Sequence, residues 1–254
     1  MRARYPYGPS APTYSFGPGP MTPAIRALVI ANVAAFVATW VLPALEGAFG
    51  LVPQEVVGFQ IWRLVTYMFL HGGIFHILFN MLALWMFGVE LERMWGSRYF
   101  VKYYVVCGVG AALTTVVLSL TPLSIFSGLY YALTVGASGA VYGILLAFAL
   151  YFPHRPILFM FIFPVPARYA VMIMGGIALL SSLDAGSGSG VAHTTHLGGL
   201  VAGYLYLKGL KGERLHVLSE IQYRWLKWQI NRQRRKFDVY PGGRTDDKVN
   251  RRVH

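Results

Sequence analysis

The sequence predicts an all-α, polytopic membrane protein, a bundle of six transmembrane helices. Three observations predict it. Hydrophobic residues make up 56% of the 254 residues and charged residues only 13%, too apolar a balance for an ordinary soluble domain. The apolar residues gather in six blocks, about 24–43, 75–95, 99–121, 137–153, 168–184 and 193–210, each close to the roughly 20 residues that cross a bilayer as a helix. The basic residues, finally, sit at alternate ends of these blocks.

That charge pattern sets the expected orientation. Arg2, Arg4 and Arg26 precede the first block. Arg93, Arg98 and Lys102 lie between the second and third, Arg155 and Arg168 between the fourth and fifth, and a basic tail follows the sixth. On the other side only Arg63 is basic, and the loops at 122–135 and 185–192 carry no Lys or Arg. Basic loops stay cytoplasmic, so both termini are expected in the cytoplasm. The second, fourth and sixth helices then all run from the outer face inward. The first block is not read as a signal peptide, because further apolar blocks follow it. With no Arg/Ser-rich transit segment at the start, a bacterial inner membrane is expected.

Between the blocks the sequence is less regular. Residues 1–22 are rich in Pro, Gly, Tyr and Ser and are expected to form a disordered cytoplasmic lead. Residues 44–74 carry Phe59, Trp62, Tyr67 and Phe69 with little charge, which suits an outer loop lying in the membrane interface. Pro153, Pro156, Pro164 and Pro166 predict an irregular inner connection over 154–167. The Gly/Ser stretch from Asp184 to Gly190 predicts a flexible outer loop. In the tail, 211–254, Leu215, Leu218, Ile221, Trp225 and Trp228 recur at helical spacing with a basic opposite face. This fits an amphipathic helix on the inner lipid surface, or a solvated tail that fixes topology.

The net charge of +12 follows from topology and from attraction to anionic lipids, so nucleic acid is not expected as a partner. The lone Cys107 excludes an intrachain disulfide and a cysteine-based zinc site. Nothing in the sequence specifies an oligomeric state.

Polar residues inside the blocks are costly and point to function. Ser138 opens the fourth block within Gly136-Ala137-Ser138-Gly139-Ala140, His196 opens the sixth, and His71, His76 and Asn80 open the second. By the charge pattern all lie near the outer ends of their helices. A serine hydroxyl becomes a nucleophile when a base within about 3 Å takes its proton. Two membrane helices bring Ser and His that close only through small residues spaced by four. Gly139 and Gly143 form such a stripe on the fourth helix, and Gly199 and Gly203 on the sixth. Ser138 also lies in a first helical turn, where free N–H groups favour negative charge. His76 and Asn80, four apart, share a helix face and can both donate to an oxyanion.

Alternatives stand beside this reading. Ser138 alone suits a packing residue or cap, and His76 and Asn80 suit structural bonds between helices. His71, His76, His193 and His196 raise a zinc site, but the order is not His-Glu-x-x-His and no acidic residue lies inside the blocks as a water-activating base; Asp184 is on the correct side to orient a histidine but belongs to a loop. Glu90 and Glu92 fall at the inner end. No metal or other cofactor is expected. A transporter would need polar groups near mid-membrane, whereas these gather at one face.

Over about 60–210 the chain resembles the rhomboid intramembrane serine proteases. The motifs are Trp62-Arg63, His71-x4-His76-x3-Asn80, Glu92-x3-Gly96, Gly136-x-Ser138-Gly139 and His196-x2-Gly199-x3-Gly203. The resemblance implies a rhomboid-like bundle in which Ser138 is the nucleophile and His196 the base of a dyad. It implies His76, Asn80 and the Ser138 backbone N–H as the oxyanion hole, and Tyr142 as the aromatic holding the His196 ring. Trp62, Arg63 and Glu92 take structural positions. The substrates implied are transmembrane proteins, cut within or near the bilayer. An inactive relative that only binds membrane helices is the alternative. His193, three residues before His196, departs from the pattern; glycine spacing favours His196 as the base.

Overall fold

A computed structural model describes residues 17–159, 163–183 and 190–211. Helix α1 (Pro23–Val41) begins with proline in its first turn, where a missing N–H costs nothing. Its next free N–H groups need acceptors. Glu92 supplies them: Ala24 N and Ile25 N donate to its carboxylate at 2.9 and 3.0 Å, and the Thr22 hydroxyl donates to it as well. Ser97 Oγ adds a bond of 2.6 Å. The buried carboxylate is thereby matched by four donors, which offsets the cost of taking its charge out of water.

The segment after α1 folds into three short helices, α2 (Ala44–Phe49), α3 (Pro53–Val57) and α4 (Arg63–Thr66), and a 3₁₀ turn at Tyr67–Phe69. Arg63 pins it. Its guanidinium donates to the carbonyls of Gly47 and Gly50 at 2.8 and 2.6 Å, and to Gln60 Oε1 at 2.8 Å. Long helices α5 (Ile74–Trp95) and α6 (Ser97–Ser119) follow, joined by Gly96 alone. Gly96 has φ +78°, a conformation that residues with a Cβ rarely adopt. This explains the glycine in Glu92-x3-Gly96.

After a 3₁₀ turn at Ser124–Leu129 comes α7 (Ser138–Tyr151). The connection to the next helix is a hairpin, β1 (Pro156–Phe159) and β2 (Phe163–Pro166), paired antiparallel with Ile157 opposite Val165. This corrects the expected irregular connection over 154–167. Prolines argue against a central strand, but in a two-stranded ribbon both strands are edges and tolerate them. Helices α8 (Ala167–Leu183) and α9 (Gly190–Tyr206) complete the bundle, and α9 ends in a π turn at Leu207–Lys211.

Helices α6, α7 and α9 pack centrally; α8 lies on α7 and α9, and α5 bridges α1, α6 and α7. Large apolar side chains cover the outside: Trp40 is 74% and Leu180 71% exposed. Such a surface suits lipid rather than water. The long helices coincide with the six apolar blocks. Among the described residues, however, only α1, α5 and α6 are long and apolar enough to cross a membrane by themselves. Helix α7 has 14 residues, about 21 Å at 1.5 Å per residue, short of the ~30 Å hydrocarbon core. A helix that starts below the surface at a polar site, shielded by its neighbours, need not span the full thickness.

Residues 17–22, expected in the disordered lead, are instead tied to α5. Trp85 Nε1 donates to the Gly19 carbonyl at 3.0 Å and Arg93 Nη1 to that of Pro18 at 2.7 Å. Proline and glycine carbonyls remain good acceptors even where the segment forms no helix of its own. The rest of the lead, the Gly/Ser loop at 184–189 and the tail from 212 onward lie outside the described residues.

Candidate active site

Ser138 is the first residue of α7, and two upstream contacts hold the turn that presents it. Leu51 and Thr134 exchange backbone bonds of 2.9 and 2.8 Å, and Gly136 N donates to the Tyr67 carbonyl at 2.9 Å. Tyr67 is anchored in turn, its phenol donating to the Gly108 carbonyl at 2.7 Å. The segment between α1 and α5 thus clamps the entry to α7 onto α6. Gly136 has φ +124°. A Cβ there would also lie 2.7 Å from His76 Nε2, so both conformation and space require glycine.

Helix α9 comes against α7 at the glycine stripes. A Cβ on Gly199 would overlap the Gly139 carbonyl, and one on Gly203 would lie 3.2 Å from Gly143 Cα and 2.6 Å from the Tyr103 hydroxyl. Gly198 meets Ala111 and Thr114 of α6 in the same way. With the backbones this close, His196 Nε2 lies 2.8 Å from Ser138 Oγ. The Tyr142 ring stacks flat on the imidazole, centroids 4.2 Å apart and planes within 7°. Tyr142 is one turn after Ser138, so one helix carries both the hydroxyl and the plate that orients its partner. Among the described residues none bonds His196 Nδ1, which is buried. Ser138 and His196 thus stand as a hydrogen-bonded pair across the α7–α9 contact.

Helix α5 delivers His76 to the other side of the Gly136–Ser138 turn. Asn80, one turn below, is buried and donates through Nδ2 to the His76 carbonyl at 2.9 Å. One of its two amide protons is thus held within its own helix. His71 lies before α5, buried, its ring edge-on to His76 at 5.0 Å. Burial, with His76 as a lesser cause, lowers its pKa to about 4, so it is neutral near pH 7. His193 does not touch Ser138 in place of His196; its ring stands edge-on to His196 at 5.9 Å. Among the described residues no three His, Cys, Asp or Glu side chains gather as metal ligands do.

The structure adds two residues to those read from the sequence. Tyr67 fixes the Gly136 turn, and the Tyr103 phenol donates to the Gly143 carbonyl at 2.7 Å in the α7–α9 seam. Both act on backbone carbonyls some 40 residues away, and neither lies in a local motif that would announce it.

Residues 58–211 match the family model described as Rhomboid domain. The chain is 32% identical over 186 residues to "Rhomboid protein 1, mitochondrial" of Saccharomyces cerevisiae, covering 72% of this chain and 51% of that protein. It is 33% identical over 158 residues to "Rhomboid protease GluP" of Bacillus subtilis, covering 62% and 28%. It is also 33% identical over 164 residues to "Rhomboid protease AarA" of Providencia stuartii, covering 57% and 54%. The chain thus spans about half or less of the length of these curated relatives.

Proposed function

The chain belongs to the rhomboid family of integral membrane proteins, and from that footing we propose that it is an intramembrane serine endopeptidase acting through Ser138 and His196. One observation carries the reading: the 2.8 Å contact between Ser138 Oγ and His196 Nε2, within reach for proton transfer. Two of the relatives are themselves named rhomboid proteases.

In the proposed reaction Ser138 Oγ attacks a substrate carbonyl while His196 Nε2 takes the hydroxyl proton. The Tyr142 plate keeps the imidazole in line. Negative charge then develops on the carbonyl oxygen. The free N–H of Ser138 in the first turn of α7 and the ring of His76 are available to donate to it, and Asn80 offers its second amide proton. His196 returns its proton to the leaving amine, and water attacking through the same base releases the acyl group from Ser138. The substrates on this reading are transmembrane segments that unwind at the outer face. Both termini lie in the cytoplasm by the charge pattern, and a bacterial inner membrane suits the sequence.

The test is labelling by a serine-directed fluorophosphonate in detergent, paired with cleavage of a transmembrane substrate. Wild type labels and cleaves; Ser138→Ala does neither while melting as wild type does. Labelling that persists in the variant removes Ser138 from the role. A folded wild type that neither labels nor cleaves leaves the family's other reading, a protein that binds membrane helices without cutting them.

A further inference from the structure

Among the described residues, His193 is an ionisable side chain in ring contact with the proposed base that the reaction above does not use. It sits one turn before His196 on α9 and shares its face. The two rings meet edge-to-face, 5.9 Å between centroids and 84° between planes. Helical spacing sets the separation of the two Cβ atoms, and the Tyr142 stack holds the His196 ring.

Among the described residues no anion faces the pair. Tyr142 and Ser138 face it from α7, and His76 from α5. The outer half of α6, Gly108–Ser119, and the turn Ser124–Leu129 hold no titratable side chain. In α8 the titratable residues are Arg168 and Tyr169, at its opposite end. Among the described residues no carboxylate bonds His196 Nδ1. A positive charge on either imidazole is thus felt by the other with no described anion between them.

The proposed chemistry requires such a charge. When His196 takes the Ser138 proton it becomes an imidazolium. A neutral His193 leaves that step as it is. A protonated His193, half-buried at the mouth of the site, opposes it by like-charge repulsion. We propose that His193 is a positioning residue that gates the reaction by pH: its protonation on the outer face disfavours the His196 imidazolium and switches the site off. The inference rests on the protease reading above. Two unit charges about 6 Å apart, at the effective dielectric of a site near a protein surface, are worth about tenfold to a hundredfold in rate.

The sign is definite. A proton on His193 places a like charge beside the His196 imidazolium, so on this proposal its gain slows the reaction and its loss restores it. The experiment measures the fluorophosphonate labelling rate and the cleavage rate of wild type and His193→Gln in detergent between about pH 5 and pH 9. Glutamine keeps a polar side chain but cannot carry the charge. The expected result is that the ratio of the rate at about pH 5.5 to that at about pH 8 rises at least about tenfold in the variant. A merely structural role would scale the rate equally at both pH values, and an unchanged ratio overturns the proposal. Melting curves at both pH values separate a loss of fold from a loss of rate: a variant that melts as wild type does and keeps the wild-type ratio is decisive against the gate. If folded wild type labels at no pH, the protease reading itself falls, and the gate with it.

Discussion

The carbonyl of Gly139 on α7 fills the space where a side chain at position 199 of α9 would begin: a Cβ on Gly199 overlaps its oxygen and comes within 2.7 Å of its carbon. The same contact sets the height and separation at which His196 meets Ser138. Packing and proposed chemistry therefore share one constraint at this point.

Gly199→Ala is the smallest change that tests it. Neither backbone can yield without moving α7 away from α9, so overpacking is expected to cost about 1–3 kcal/mol. The same displacement lengthens the Ser138–His196 contact. Labelling and cleavage are expected to fall by at least about tenfold in protein that remains folded. Thermal unfolding in detergent beside the labelling rate checks both; wild-type values for both would contradict the close approach.

Gly136→Ala isolates the turn from the packing. The backbone there has φ +124°, and a Cβ would press on His76 Nε2. Strain of about 1–3 kcal/mol is expected, together with displacement of His76 from the Ser138 turn. Cleavage should drop more steeply than labelling, because a small reactive phosphonate depends less on oxyanion donors than a peptide does. Equal losses in both assays would mean that the whole turn has moved.

The approach of α7 to α9 is legible because it is written in four glycines at helical spacing, and the polar residues in the first halves of α5, α7 and α9 stand out against apolar runs. Features built from backbone acceptors are not legible in this way. Nothing around Tyr67 or Tyr103 names Gly108 or Gly143 as partner, because each phenol finds a carbonyl brought close by tertiary packing alone. The hairpin at 156–166 is hidden by its prolines, which signal a break in any strand longer or more central than this one. Residues 17–22 look like linker, yet their carbonyls serve Trp85 and Arg93. Charge counting finds Arg63 only as an exception on the outer side; the structure gives it the carbonyls of Gly47 and Gly50 to hold.

Tyr142 offers a test of orientation apart from contact. Its ring lies 4.2 Å from that of His196 and nearly parallel, so it limits imidazole rotation without bonding to either nitrogen. Tyr142→Ala frees the ring, and a misplacement of about 1 Å is expected to cost up to about a hundredfold in kcat. Tyr142→Phe keeps the plate and should lose far less. If the two variants fall together, the phenol rather than the stacking face is what matters.

Glu92 lies at the other end of the bundle and separates stability from chemistry. Its carboxylate accepts from Thr22, Ala24 N, Ile25 N and Ser97. Glu92→Ala leaves these donors without an acceptor in a buried place, a loss of about 3 kcal/mol or more. Glu92→Gln keeps one acceptor oxygen but turns an amide N–H₂ toward groups that themselves donate, so it is expected to fall between the two. The melting temperature should drop in the order wild type, Gln, Ala. Ser138 opens α7 and His196 lies in the first half of α9, whereas Glu92 lies near the end of α5, so labelling per folded molecule should change little at a temperature well below the melt. A variant that melts normally but fails to label would tie Glu92 to the reaction and contradict its role as the clamp between α1, α5 and α6.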